Sequence, residues 1–321
     1  MLKTRTGCTI RCGSRCSASS LILQPNGLLV MRGKRLLWTW LLVAICQLSL
    51  AQRTDAVLQQ KLLALCQGFG GSIGFYVKDL RSGRVASYQA DTVFPTASIV
   101  KVPILLGIMD KLEKNELQYH QRLLYKDSLL YPGEDILGSF KSGESIELSK
   151  LMMLMCTTSD NSASLWLQAL AGGGSRINEL LRQQGCTATF VNSRTPGREE
   201  ARRQYGWGQT TPADMVRLWE TLVKRQLLSN HSSERMLKIL GRNYWDEEGL
   251  SAIPAGVFVA SKNGAVDASR SEVMYVNAGK RPYILAVFTK NNTDKSWTPD
   301  NEAWVLTRRI SQLVWNYFSG R

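Results

Sequence analysis

Ser98-Ile99-Val100-Lys101 places a hydroxyl and an amine three residues apart at the mouth of an apolar run. On a helix, residues three apart share one face, so the lysine amine can reach the serine hydroxyl. That is a nucleophile with its own base. A serine at a helix N-terminus also gains from the positive end of the helix dipole, which favours a developing alkoxide, and its own amide can donate to an oxyanion. An apolar setting near other cations would make Lys101 give up its proton more readily and serve as a base. On their own, these residues read better as an ordinary cap followed by a solvated first-turn cation.

Two further motifs change that balance. Ser159-Asp160-Asn161 follows, and Lys262-Asn263-Gly264 lies farther on, between two strand-like segments. No other lysine has a serine three residues before it, and an S-D-N tripeptide arises by chance in about one chain in twenty of this length at average composition. Alone, S-D-N reads as a turn of polar residues. As an ordered set, the three resemble the S-x-x-K, S-D-N and K-T-G motifs of class A β-lactamases and penicillin-binding proteins. The resemblance runs from about residue 55 to the C-terminus.

The resemblance implies roles residue by residue. Ser98 would be the nucleophile and Lys101 its base. Ser159 would relay a proton to the leaving nitrogen, Asn161 would hydrogen-bond the substrate amide, and Asp160 would hold the loop. Lys262 would add positive charge and support Ser159, and the amide of Ala265, just after Gly264, would be the second oxyanion donor. Asn263 departs from the family, which has a hydroxyl there to hold the substrate carboxylate; an amide donates from a different distance and angle. Arg270, just before a strand, reads equally as a replacement carboxylate anchor or as a surface partner of Glu272. The water-activating glutamate of the family falls within residues 193–212. Arg198-Glu199-Glu200 mimics its R-x-E, making Glu200 the candidate, whereas an ungapped register puts Thr195 at that place.

The expected activity is therefore that of an exported serine hydrolase opening a β-lactam or related amide through an acyl-enzyme on Ser98. The alternatives are a penicillin-binding DD-peptidase-like enzyme acting on peptidoglycan-like peptides and a non-catalytic ligand-binding relative. No cofactor and no metal are expected. The two histidines, His120 and His231, stand in polar surroundings away from every motif, which argues against a Ser-His-Asp triad or a histidine-rich metal site.

Residues 1–51 contain no Asp or Glu but carry Lys3, Arg5, Arg11, Arg15, Arg32, Lys34 and Arg35. From Met31 a basic segment leads into Leu36–Leu48, an apolar run too short for an easy membrane span, and then into Ser49-Leu50-Ala51. This is the pattern of a signal peptide over 31–51, cleaved after Ala51, and it implies a periplasmic or secreted product. Residues 1–30, with Cys8, Cys12 and Cys16, are then expected to precede the true start. Removing the leader charge leaves 33 basic residues against 26 acidic ones. They are interspersed, as in Arg198-Glu199-Glu200, with no basic stripe of the kind that grips nucleic acid. Cys66, Cys156 and Cys186 are too few for a disulfide framework. A monomer is expected, with no membrane span after cleavage.

The elements that would position these groups follow from periodicity. Leu58, Leu62 and Leu65 recur at helical spacing, and Ile73, Phe75 and Val77 alternate as a strand, with Val85–Ala90 returning after a turn. The segment from Ser98 to Leu112 is apolar on nearly every side, as in a buried helix. Helical signals dominate from there to about residue 245, including Ile146–Met155, Ser162–Ala171, Arg176–Gln184 and a capped start at Thr211-Pro212 running to Leu228. Strands return at Phe258–Ser261, Glu272–Asn277 and Tyr283–Thr289, and a last helix carries Leu306, Ile310, Leu313 and Tyr317 in register. The expected fold is α/β (α+β): a five-stranded antiparallel sheet covered by terminal helices, with an inserted all-helical lobe, as the β-lactamase/transpeptidase resemblance also implies. The α/β lobe would span about 52–95 and 250–321, and the helical lobe about 96–249.

Overall fold

The computed structural model describes residues 53–132 and 136–320. The leader assigned to 31–51, the segment before it and the cleavage point lie outside the described residues. Helix α1 (Ala56–Leu65) starts at Asp55, whose carboxylate accepts the Leu58 amide, and buries Leu58 and Leu62. Strands β1 (Ser72–Asp79) and β2 (Val85–Tyr88) form a hairpin. After the helical region, β3 (Val259–Val266), β4 (Ser269–Val276) and β5 (Tyr283–Lys290) complete a sheet of order β2-β1-β5-β4-β3, antiparallel throughout. The two ends of the chain meet at the centre, where Ser72 pairs with Lys290 and Asp79 with Tyr283.

Strand alternation sends residues to two different cores. Ile73, Phe75 and Val77 of β1, with Leu285 and Val287 of β5, pack against Leu58 and Leu62 of α1 and against Leu306, Ile310 and Val314 of the C-terminal helix. Ile284, Ala286 and Phe288 face the other way, into the core shared with the helical region. Because both faces are covered, β5 is buried along nearly its whole length and reads as an unbroken apolar run.

The insertion opens with a single 3₁₀ turn, Ala97–Val100, that feeds helix α2 (Lys101–Glu113), buried from Lys101 to Asp110. Next come α3 (Leu148–Met153), a π-helical turn over Leu154–Thr158, α4 (Asn161–Leu170), α5 (Gly173–Gln183), α6 (Glu199–Tyr205), α7 (Pro212–Val223) and α8 (Asn230–Leu240). Thr211 caps α7 with Pro212 at its first position, as the sequence suggests. The helix stops at Val223, and α8 begins anew on a Ser229 cap rather than following a helix drawn to Leu228. The insertion is not wholly helical. Short strands at Phe94–Pro95, Gly208–Thr210 and Phe190–Val191 pair with one another, and Arg122–Leu124 pairs with Ser145–Glu147. The final helix, α9 (Glu302–Ser319), is capped by Asn301 and ends on Gly320 at φ 75°, a left-handed position that favours glycine. No helix among the described residues is long and apolar enough to cross a membrane.

Candidate active site

Ser98 sits in the 3₁₀ turn rather than in the first α-helical turn, and this tightens the geometry, because residues i and i+3 eclipse in a 3₁₀ turn. Lys101 Nζ lies 3.1 Å from Ser98 Oγ. Ala97, immediately before the serine, holds φ 44°, a strained value for a residue with a Cβ.

The π-helical turn delivers the second serine. Its extra residue per turn ends at Ser159, which takes a left-handed φ of 64° and brings its side chain back over α2. Lys101 Nζ lies 3.0 Å from Ser159 Oγ, 2.5 Å from the Ser159 carbonyl oxygen and 2.9 Å from Asn161 Oδ1. Lys101 itself is fully buried. Asp160 turns inward: one carboxylate oxygen caps α4 through the Ala163 amide at 2.8 Å, and the other accepts the Leu137 amide at 2.8 Å. Asp160 thus holds the loop that presents Ser159 and Asn161.

The third motif lies inside β3, not between two strands as its flanks suggest. Gly264 permits the close approach, since a Cβ there would stand 2.6 Å from the Thr96 carbonyl and 2.8 Å from the Ser98 amide. The strand therefore runs directly against the turn that carries Ser98, and Ala265, the next residue, borders the same space as Ser98. Lys262 is fully buried, and its Nζ donates to the backbone carbonyl of Asn263 at 2.9 Å and to Asn263 Oδ1 at 3.2 Å, rather than reaching Ser159. Burial pushes its ammonium down to about 8.

Ser98, Asn161 and Ala265 border two cavities. One, of about 390 Å³, lies on the side of Tyr131, Gln204 and Trp207 and has no carboxylate among its described lining residues. The other, of about 860 Å³, extends past Ser159 and Asn263 to Glu248, Glu272 and Trp245.

Two expected site residues stand elsewhere. Glu200 lies on the outer face of α6, with its side chain 80 % exposed and paired with Arg203, and it borders neither cavity. The other reading of that loop, Thr195, is buried and donates to the Ser193 carbonyl at 2.9 Å. Arg270 is inside β4, fully buried, with its guanidinium stacked on Trp297 and Trp304 and donating to the carbonyls of Val266, Ser269 and Ser296. It neither pairs with Glu272 on the surface nor borders the cavities. In its place Glu272 stands opposite Asn263 across β3 and β4. Sequence reading passed over this acid as a cleft residue, although the tight turn at Asp267-Ala268, which pairs Val266 with Ser269, fixes the same register.

Cys66, Cys156 and Cys186 are free thiols. No group of His, Cys, Asp or Glu among the described residues is arranged to hold a metal ion.

The fold agrees with the comparisons to known proteins. The structure superposes on that of PBP-A with a TM-score of 0.74 at 24% identity, covering 84% of this chain and 98% of that one. A mutant of PBP-A caught as its acyl-enzyme with penicillin G gives the same score and identity over 84% of this chain and 99% of that one. A β-lactamase from Sphaerobacter thermophilus matches with a TM-score of 0.73 at 20% identity, over 83% of this chain and 99% of the other. The TLA-1 extended-spectrum β-lactamase matches with a TM-score of 0.74 at 19% identity, over 82% and 99%. At these identities the likeness is one of fold. The family model described as the beta-lactamase enzyme family, however, matches residues 57–318, nearly all of the described chain, and the chain belongs to that family.

Proposed function

We propose that this protein is an exported serine hydrolase of class A β-lactamase type that opens a β-lactam or related amide through an acyl-enzyme on Ser98. The observation that carries the reading is the position of Lys101 Nζ, buried and within 3.1 Å of both Ser98 Oγ and Ser159 Oγ. A neutral amine has two N–H donors and one lone pair, so it can donate to the carbonyl and amide oxygens around it while accepting from a serine hydroxyl.

The steps follow from those contacts. Lys101 takes the Ser98 hydroxyl proton as Oγ bonds to the amide carbon, and the carbonyl electrons move onto oxygen. The amides of Ser98 and Ala265 are the donors proposed for that oxyanion, and preorganised donors of this kind do not have to reorient as charge develops. When the tetrahedral species collapses, the C–N bond breaks, and the nitrogen receives a proton from Ser159 Oγ, which is replenished by the lysine ammonium. The product is an ester on Ser98 and a free amine. Water must then attack the ester to restore the hydroxyl and release the acid.

That second half is the weaker one in this reading. Glu200 is remote, and the cavity beside Tyr131 and Gln204 carries no carboxylate among the described residues to activate water. The same observation favours a penicillin-binding, DD-peptidase-like variant of the reading, in which the acyl-enzyme on a β-lactam persists. Stopped-flow measurement with a chromogenic cephalosporin tests the reading: we expect a burst close to one equivalent of enzyme followed by slow turnover. Absence of both burst and turnover with every β-lactam and acyl-peptide tried contradicts it.

A further inference from the structure

The larger cavity ends in an unusual wall. Beyond Asn263 it is bordered by Glu248 and Glu272 and by the indoles of Trp245, Trp297 and Trp304. Glu272 is only 2% exposed. Its Oε2 accepts the Gly249 amide at 2.7 Å, and the carboxylate packs so closely there that a Cβ on Gly249 would stand 2.8 Å from that oxygen. Its Oε1 is buried and closes no full hydrogen bond with the described residues, although the Leu250 amide also lies near the carboxylate and pulls its proton affinity down. A buried carboxylate oxygen without a donor is costly, and a ligand N–H would remove the cost.

The cations that could reverse this polarity are engaged. Arg270 donates to three backbone carbonyls behind the tryptophans. Arg308 of α9 is paired with Glu248 at 3.2 Å and also donates to the Pro299 carbonyl. Lys262 is turned onto Asn263, whose Oδ1 it occupies. Indole faces attract cations; Arg270 already stacks on Trp297 and Trp304, so Trp245 is the one of the three that adds to the pull of the acids on a cationic ligand.

We infer that this wall is a subsite for a protonated amine on the substrate, in the part of the cleft beside Asn263 where a substrate carboxylate would otherwise be held. The inference deepens the proposed acyl-transfer reading by naming a substrate class: amides or lactams whose group beside Asn263 is cationic. Where both acids are ionised, toward about pH 8 and above, a carboxylate on the ligand would be repelled.

The subsite also carries a pH signature. Burial pushes Glu272 up to about 8 and Glu248 up to about 7, and Glu248 raises Glu272 further. Of the charged groups facing them, Lys262 from β3 pulls Glu272 down, Arg308 from α9 and Arg270 from the same strand as Glu272 pull Glu248 down, and Glu247 pushes Glu248 up. Ammonium affinity should therefore rise as both acids ionise, between about pH 6 and pH 8.

The test is direct, non-covalent binding to the full-length mature protein by calorimetry or ligand-observed NMR. Benzylammonium, benzyl alcohol and benzoate are compared as probes of matched size. Benzylammonium should bind about tenfold or more tightly than either of the others, a charge-assisted hydrogen bond being the difference. The advantage should grow between about pH 6 and pH 8, where this amine keeps its proton. It should be lost in Glu248→Gln/Glu272→Gln and retained in Glu179→Gln, an exposed position on α5. Equal binding of the three probes, or tighter binding of benzoate, overturns the subsite even if the double variant cannot be folded. An advantage that survives in a folded double variant also overturns it. None of these measurements uses Ser98, so loss of ammonium binding with acylation intact defeats the subsite alone, and loss of acylation with ammonium binding intact defeats the proposed reaction alone.

Discussion

Lys101 Nζ lies 3.0 Å from Ser159 Oγ across 58 residues of sequence, almost the same separation it keeps from Ser98 three residues before it. One amine thus reaches two hydroxyls, which is the geometry the proposed proton relay needs. The position of Ser159 depends on the π-helical turn at Leu154–Thr158 and on the double engagement of Asp160, so the loop's geometry is set by the fold before any substrate arrives.

Gly264→Ala tests how closely β3 must approach the nucleophile turn. The new Cβ would meet the Thr96 carbonyl and the Ser98 amide, both backbone atoms, and the strand would have to move outward. A displacement of reacting groups by about 1 Å costs on the order of 10²-fold in rate. Burst kinetics should show that loss in acylation. An unchanged burst rate would mean that Ala265 and the β3 edge do not contribute to oxyanion binding.

Glu200→Gln should leave both half-reactions within about twofold of the parent, since exposed ion pairs of this kind contribute little. Single-turnover decay of the acyl-enzyme provides the check. A marked lengthening of its lifetime would show that α6 swings Glu200 into the cleft during turnover.

Arg270→Ala is predicted to weaken the protein rather than its grip on a substrate carboxylate. Removing the guanidinium strands three backbone carbonyls and leaves a gap between Trp297 and Trp304, a loss of roughly 2–4 kcal/mol. Thermal unfolding should show the drop, while the labelling rate of the folded fraction stays near that of the parent. A normal melting temperature with slower labelling by carboxylate-bearing lactams would assign Arg270 to the anchor role after all.

The buried acid gives a stability signature. Glu272 binds its proton up to about 8 when folded, against an ordinary value of 4.5. The folded state therefore holds a proton that the unfolded chain releases, and the resulting stability is present below the unfolded value and lost as pH rises through the folded one. Melting temperatures between about pH 5 and pH 8 should fall in the parent and fall much less in Glu272→Gln. Parallel curves for the two proteins would place the ionisation of Glu272 near its ordinary value.

The parts of this site that could be read in advance are those set by local spacing. Ser98 and Lys101 meet because they are three apart on a turn, and Thr211-Pro212 starts a helix because of what those two residues are. The sheet was legible from alternating runs at both ends of the chain, since β1 and β5 carry their pattern in their own residues. What escaped depends on pairing. Arg270 and Glu272 are two apart and project from β4 on the same side, yet only the register against β3 and the fold of the chain near Trp297 and Gly249 put one guanidinium among carbonyls and one carboxylate against the cleft. Glu200 was misplaced for a related reason: the spacing of Arg198-Glu199-Glu200 fits a loop, but the segment coils into α6, whose outer face carries the acid away. The extent of β3 through Lys262-Asn263-Gly264 was also hidden, because the polar Lys262 and Asn263 interrupt the apolar pattern that marks a strand.

The most direct test of the account is to locate the covalent adduct. Mature protein is incubated with a fluorescent penicillin, denatured, digested and sequenced by tandem mass spectrometry. The account predicts one adduct, on the peptide containing Ser98, absent from Ser98→Ala and formed roughly 10²–10⁴-fold more slowly in Lys101→Ala at neutral pH. An adduct on any other residue, or labelling of Ser98→Ala at the parental rate, would contradict it.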